Sequence, residues 1–449
     1  MDGITALDYL LLPFYLFVIY KIAFHYRDKY YPSGHPFRPY FLPGLTAKIA
    51  GSIFIGALYF YYYGGADTFN FFFHSKIINS TFTESPSTWL RLITHNADNT
   101  VSTDARAVSD MYWYDDGASY TTACLGAFIG MFCFTKYLVI NVIIASISFI
   151  GMWLMFITFA SQYTKITKYI AIAVLFMPGT VVWGSALFKD SFCMFAIGCL
   201  IYCMHIFFEK MTFKLSLLIL AIISVGLLFS IKEYILISLL PMLILKAILM
   251  YKKKLVNHPE KKLAFYFVTI IFMLVCYRAS SMALSYLSNF NVDNVLETVK
   301  TQKDYLLRVS IAQDGAAYDL GDFEPTISGI SKMIIPAINV TLFRPYLWEA
   351  RSIIQIFSAL ESAGILLLTL YLVLRRKLYQ TITRIYHDPN LIMCIAFSLL
   401  FAFIVGVSSY NFGSLSRYKI PCTPFYMLFL MILIFNKDEK TNTDPSEAN

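Results

Sequence analysis

Asp67, Lys189, Asp190, Arg344, Glu349, Arg417 and Lys419 are the residues of this chain best placed to do chemistry. Each stands at the end of an apolar segment, where a charge is expensive and usually kept for function. Asp67 follows one such segment directly, in YYYGGADTFNFFFH. Gly64 and Gly65 allow a sharp turn, and the aromatic run pins the acid at the membrane surface. A partly desolvated carboxylate there suits a general base that takes a proton from a hydroxyl. Lys189, in PGTVVWGSALFKDSF, can meet a phosphate oxygen as a point charge, with Asp190 beside it. In LFRPYLWEARS, Arg344 can clamp a phosphate bidentately, while Trp348 and Glu349 can position a sugar. Arg417 and Lys419 precede the last apolar segment, in SSYNFGSLSRYKIPCTPF. Trp113, Asp115 and Asp116 form an acidic and aromatic patch of the kind that meets carbohydrate. Each group also has a plainer structural reading. Lys189–Asp190 can be a local turn pair, Lys232–Glu233–Tyr234 an interfacial hairpin, and 344–349 a helix cap with an aromatic anchor.

The elements that must position these residues are transmembrane helices. Hydrophobic residues make up 58% of the 449 and charged residues only 14%, against about 25% charge in a soluble domain. Mean hydropathy is +0.61. Forty Phe and 32 Tyr fit wide interfacial belts. Apolar segments fall at 5–24, 47–63, 120–135, 138–159, 169–187, 191–208, 215–231, 234–250, 263–284, 353–374, 391–408 and 419–435. Basic residues concentrate in 21–48, 251–262 and 375–388, which places these loops in the cytoplasm by the positive-inside rule. Segments 64–119 and 285–350 carry more acids than bases, seven against three and eight against five, and are expected outside. An even number of crossings must separate 21–48 from 251–262, yet seven segments lie between them. The weakest, 120–135, is therefore expected to be an interfacial or re-entrant helix on the external side. The prediction is an all-α polytopic bundle of about 11 spans in one membrane domain, 1–435, N-terminus outside, with a disordered cytoplasmic tail over 436–449. An amphipathic helix is expected over 287–309. No cleavable signal pattern is seen at the N-terminus, and no charge is expected clearly mid-span.

Composition and motifs also set limits. A net charge of +8 would suggest nucleic acid in a soluble protein, but here the cations sit in short loops and act as a topology signal, so no nucleic-acid partner is expected. The eight Cys lie in or beside apolar stretches without a CxxC, as small apolar fillers. The seven His show no metal-ligand spacing, so no protein-built metal site and no cofactor beyond an optional divalent cation is expected. The chain has no GxGxxG, Walker A or GxSxG motif, which leaves a nucleotide-fuelled pump without support.

The acid opening the first external loop in GGADTFNFF, the interfacial segment 120–135, the PGTVVWGSALFKDS stretch, FRPYLWEA and the basic pair of SRYKIP together resemble the GT-C superfamily of polytopic glycosyltransferases. The likeness is to bacterial surface-glycan members and covers most of the chain. It implies a GT-C-like fold and a polyprenyl-phosphate-linked sugar as donor. It also implies a glycan, lipid or protein acceptor, and a site facing the outside of a bacterial inner membrane. On that reading Asp67 is the catalytic base, and Lys189, Arg344, Arg417 and Lys419 hold the lipid phosphate. Trp113, Asp115, Asp116, Asp190, Trp348 and Glu349 then bind sugar or acceptor. Two alternatives stay open: an O-antigen-type polymerase or ligase, and a non-catalytic flippase or export component for lipid-linked glycans.

Overall fold

The computed structural model describes residues 3–254 except 211 and 213, then 317–321 and 326–436, with isolated positions between 301 and 308. The span expected at 263–284, most of the helix expected at 287–309, Cys276 and the tail from 437 lie outside the described residues. The described elements are helices, joined by one isolated bridge between Ala317 and Asn411. We number them α1 (Ala6–Tyr30), α2 (Arg38–Tyr61), α3 (Asp67–Glu84), α4 (Pro86–Ile93), α5 (Ser102–Ser109), α6 (Gly117–Met131), α7 (Tyr137–Gln162), α8 (Thr167–Leu175), α9 (Pro178–Trp183) and α10 (Lys189–Met204). There follow α11 (Leu215–Lys254), α12 (Ile327–Phe343), α13 (Ile353–Arg375), α14 (Leu378–His387), α15 (Pro389–Ser409), α16 (Phe412–Tyr418) and α17 (Thr423–Phe435).

Seven described helices are long and apolar enough to cross a membrane, or eight if α16 and α17, bent by 65°, form one broken span. The chain is thus an integral membrane protein built from a helical bundle. α11 counts as one helix by length, but its contacts show a reversal at Lys232, where the backbone leaves helical geometry (φ −149°, ψ 77°). Cys203 Sγ bonds Leu217 O, and Lys246 pairs with Glu209 at 2.9 Å. A straight helix would separate residues 217 and 246 by roughly 44 Å, whereas their partners lie six residues apart at the end of α10. Lys232 meets Asp190 at the other end of α10. The two arms of α11 therefore form an antiparallel hairpin.

α7 and α10 form the centre of the bundle. Gly151 and Gly198 face each other so closely that a Cβ on Gly198 would strike the backbone of Gly151, and one on Gly151 the backbone at Phe195. Small residues at such a crossing let two helices meet along their backbones. On one end of the bundle, α3–α6 form a layer with its own small core of Ile78, Leu92, Met111 and Tyr120. α6 is the segment expected not to cross. It has 15 residues, short of the roughly 20 a span requires. It packs on α3, where Ser75 Oγ donates to Ala123 O at 2.7 Å and Asn79 Nδ2 to Ala127 O at 2.9 Å.

Three expectations need correction. The continuous span at 169–187 is two short helices, α8 and α9, followed by a turn into α10. Pro178 cannot donate to a helix ladder and drives Met177 into extended geometry, which breaks the segment. Second, the external loop 285–350 contains α12, an apolar helix packed on α15. Its Thr341 hydroxyl donates to Ala402 O at 2.8 Å, and a Cβ at Gly406 would strike the Ala337 backbone. Third, charges do occur at mid-span. Lys48, read from sequence as an inner-loop cation, is buried near the middle of α2, and Glu361 is buried within α13.

The third correction explains the first. A break at membrane depth frees backbone groups that lipid cannot satisfy. Lys48 Nζ donates to Thr180 O and Gly184 O at 2.8 Å each and to Ser148 Oγ at 3.2 Å. Glu361 accepts from Gly179 N at 2.5 Å, and Asn141 Oδ1 from Leu187 N at 2.9 Å. The unwound stretch is thereby held at both ends of α9, and it delivers Lys189 and Asp190 to the start of α10.

Candidate functional site

Where α3, α10, α11 and α16 converge, the bundle opens a cavity of about 590 Å³, lined by Asp67, Trp113, Lys189, Lys232, Tyr234 and Arg417 among others. Five charged residues spread over 350 positions of sequence meet here. Arg417 joins two acids: its Nε donates to Asp190 Oδ2 and its Nη1 to Asp67 Oδ2, both at 2.6 Å. The second Asp190 oxygen accepts from Lys232 Nζ. Asp190, Arg417 and Lys232 are buried, while the Asp67 side chain is half exposed to the cavity.

The local sequence explains each placement. Gly64, Gly65 and Ala66 all have positive φ, at 65°, 136° and 81°. For Ala66 this is an uncommon conformation, and the two glycines absorb the rest of the turn that ends α2 and begins α3. Asp67 is then the first residue of α3, where helix N–H groups favour a carboxylate. Asp190 stands likewise in the first turn of α10. Arg417 lies in the last turn of α16, where a cation is favoured, and that helix is capped by the Asn411 side chain on Gly413 N. The Arg417 guanidinium also lies 4.5 Å from the Phe188 ring, and Lys232 Nζ sits 4.8 Å from the ring of Tyr418. Lys189 lies on the cavity wall, with Asp116, the N-cap of α6, 3.8 Å away.

The structure divides the residues chosen from sequence into two groups. Asp67, Trp113, Lys189 and Arg417 line the cavity. Asp190 supports it from below, with both oxygens engaged by cations, so it is not open to a sugar. Asp116 reaches the edge through Lys189, and Asp115 is exposed in the preceding loop. The remaining four lie elsewhere. Arg344 and Glu349 pair with each other, Nε standing 3.1 Å from each carboxylate oxygen, and Glu349 also accepts from Tyr346 N at 2.8 Å. Trp348 is 81% exposed and stacks on Tyr346. Lys419 is buried against Ser362 Oγ at 2.7 Å and Arg344 O at 3.2 Å.

Sequence reasoning missed Lys232, read as an ordinary hairpin turn, and the Lys48 clamp. The signal for Lys232 was a lysine in a turn too short to be solvated far from the hydrocarbon. The signal for Lys48 was a cation ahead of apolar AGSIFIGALYF with too few flanking polar residues to end a span.

His74, in α3 outside the spans, was also missed. It is fully buried against Trp113 and Tyr112, and neither ring nitrogen has a hydrogen-bond partner. Burial pushes its imidazole down to about 4. In the unfolded chain a histidine titrates near 6.5, so the unfolded state binds a proton that the folded state refuses. Stability is therefore expected to fall as pH drops from about 6.5 to about 4. Thermal midpoints across that window, compared with His74→Phe, check this: the variant should lose the slope, and an unchanged slope contradicts the assignment to His74.

Among the described residues no group of three or more His, Cys, Asp or Glu is placed to hold a metal ion. The seven described Cys are buried and free. No family model matches the chain, and neither does any curated protein or solved structure.

Proposed function

We propose that the protein is a membrane glycosyltransferase that moves a sugar from a polyprenyl-phosphate donor to a hydroxyl acceptor at the external face. The observation that carries this reading is the half-exposed Asp67 carboxylate, fixed through one oxygen to Arg417 at the edge of a cavity that also holds Lys189 and Trp113. The acceptor oxygen attacks the anomeric carbon as the bond from that carbon to the phosphate oxygen breaks. Asp67 takes the acceptor proton, and the bonding pair leaves with the polyprenyl phosphate, whose charge rises by one. The sugar is thereby inverted. Arg417 and Lys189 face the place where that charge develops, and preorganised cations there are usually a large part of catalysis. Trp113 offers an apolar face for a sugar ring. The cations Lys232 and Arg417 are matched by Asp190 and Asp67, whereas Lys189 stands 3.8 Å from Asp116, so an arriving phosphodiester competes with Asp116 for Lys189.

The finer topology belongs to the same proposal. With the hairpin of α11 counted as two crossings and α8–α9 as one broken crossing, the positive-inside rule puts the cavity outside and the loops at 251–262 and 375–388 inside. The count of 11 spans and the GT-C likeness stand with it, as does a bacterial inner membrane.

A polymerase or ligase would rest on an open external arginine. Here Arg344 is held by Glu349. A flippase requires a path lined by charge. In the cavity wall Tyr234 stacks on Phe401, and the mid-depth Lys48 is saturated by three acceptors. The test is a purified-protein assay with polyprenyl-phosphate sugar and a glycan acceptor, together with the glycans of a deletion strain. Transfer in vitro and loss of one sugar in cells are expected. Short single-repeat glycans would favour the polymerase, and absence of transfer to any acceptor tried, with unchanged glycans, would contradict the proposal.

A further inference from the structure

Two arginines, Arg376 just before α14 and Arg384 within it, tie this helix to the end of α17. Arg376 donates to Ile434 O at 3.1 Å, and Arg384 to Leu433 O at 3.4 Å and to Asn436 O. These are the last carbonyls of α17, which otherwise lack helical partners. At roughly 100° per residue, Leu378, Tyr379, Ile382 and Tyr386 fall on the side of α14 opposite Arg384. All four are more than half exposed.

The surface that this stripe joins says what covers it. α14 directly follows the spanning helix α13, whose Leu367, Val373 and Leu374 are also mostly exposed. Lipid covers the outer face of a spanning helix, and the apolar surface continues from α13 onto α14. α15 runs from Asp388, just after α14, to Ser408 and Ser409 at the cavity. Its length of roughly 30 Å puts α14 at the opposite end of the bundle. At the corner between α13 and α14 stand Arg375 and Lys377, both exposed. Asp388, the acid closest to them in sequence, is turned inward to Tyr163 OH at 2.6 Å and Asn390 N at 2.9 Å.

We propose that α14 lies in the bilayer surface opposite the cavity, its stripe among acyl chains, and that Arg375 and Lys377 bind the headgroups of anionic phospholipid there. An amphipathic helix with flanking cations is built for such a surface. This inference does not depend on the chemistry in the cavity.

The test uses the full chain purified in uncharged detergent and reads its thermal midpoint with added phosphatidylglycerol, phosphatidylcholine or inorganic phosphate. Phosphatidylglycerol should raise the midpoint more than phosphatidylcholine, and phosphate alone should not reproduce the difference. Arg375→Gln with Lys377→Gln should lose at least about half of the phosphatidylglycerol-specific increment and keep the phosphatidylcholine response. An unchanged increment, or an equal one from phosphate, overturns the proposal. A nitroxide on Tyr386→Cys, in vesicles of both lipids, should collide with oxygen more than with a water-soluble nickel chelate. The reverse preference also overturns it.

Discussion

Asp190→Asn is expected to cost about 3–5 kcal/mol of stability, the range found when one partner of a buried ion pair is removed. Asp190 is fully buried and each of its oxygens faces a different cation. Without its charge, Lys232 loses its carboxylate at the turn of the α11 hairpin, and Arg417 keeps only Asp67. Asn has the shape of Asp but cannot neutralise either cation. Asp67→Asn breaks a pair with one half-exposed member and is expected to cost no more than about 1 kcal/mol. The order of the two effects is the sharp part of the prediction. Thermal midpoints of the two variants in one detergent check it. Adding Lys232→Met to Asp190→Asn should recover part of the loss, because the unpaired buried Lys232 charge is then gone and Arg417 still pairs with Asp67. Equal midpoints for Asp190→Asn and wild type would show that the triad does not hold the site together.

The largest expected effect on activity belongs to Asp67→Asn. Removing a positioned general base typically costs about 10²–10⁴-fold in rate. The change leaves the fold in place, since α3 retains a polar first residue and Arg417 retains Asp190. It acts on Asp67, the carboxylate that lines the cavity among the described residues. If the proton leaves the acceptor through another group, transfer will hardly change. Donor binding, which the proposed function assigns to Arg417 and Lys189, should survive the substitution within a few-fold, so the loss should appear in turnover rather than in donor affinity.

Much of this site was legible because the cost of charge near hydrocarbon is local and visible. Asp67 beside Gly64–Gly65, Lys189–Asp190 after a Pro and two Gly, and Arg417 ahead of the last apolar segment all stand out in the sequence, and the fold gathers them around one cavity. The reversal at Lys232 was legible as a charged turn between two 17-residue apolar arms. What hydropathy cannot show is how a charge is satisfied. Lys48 looks like a loop cation because its partners, two carbonyls of a broken helix more than 130 residues away, exist only in the fold. Arg344 and Glu349 look like ligands for a substrate, yet their spacing of five residues across a turn lets them satisfy each other. α12 was lost in an acidic loop because its 17 residues are fewer than a typical span needs and include Lys332 and Pro336.

The most direct test of Asp67 as the base of a sugar-transfer site is a single-turnover assay. Wild type and Asp67→Asn, matched for thermal midpoint, would be loaded with the same polyprenyl-phosphate sugar and chased with acceptor. The expected result is donor binding within a few-fold of wild type and transfer slower by about two orders of magnitude or more. Transfer by Asp67→Asn at close to the wild-type rate, with the donor bound, would contradict it.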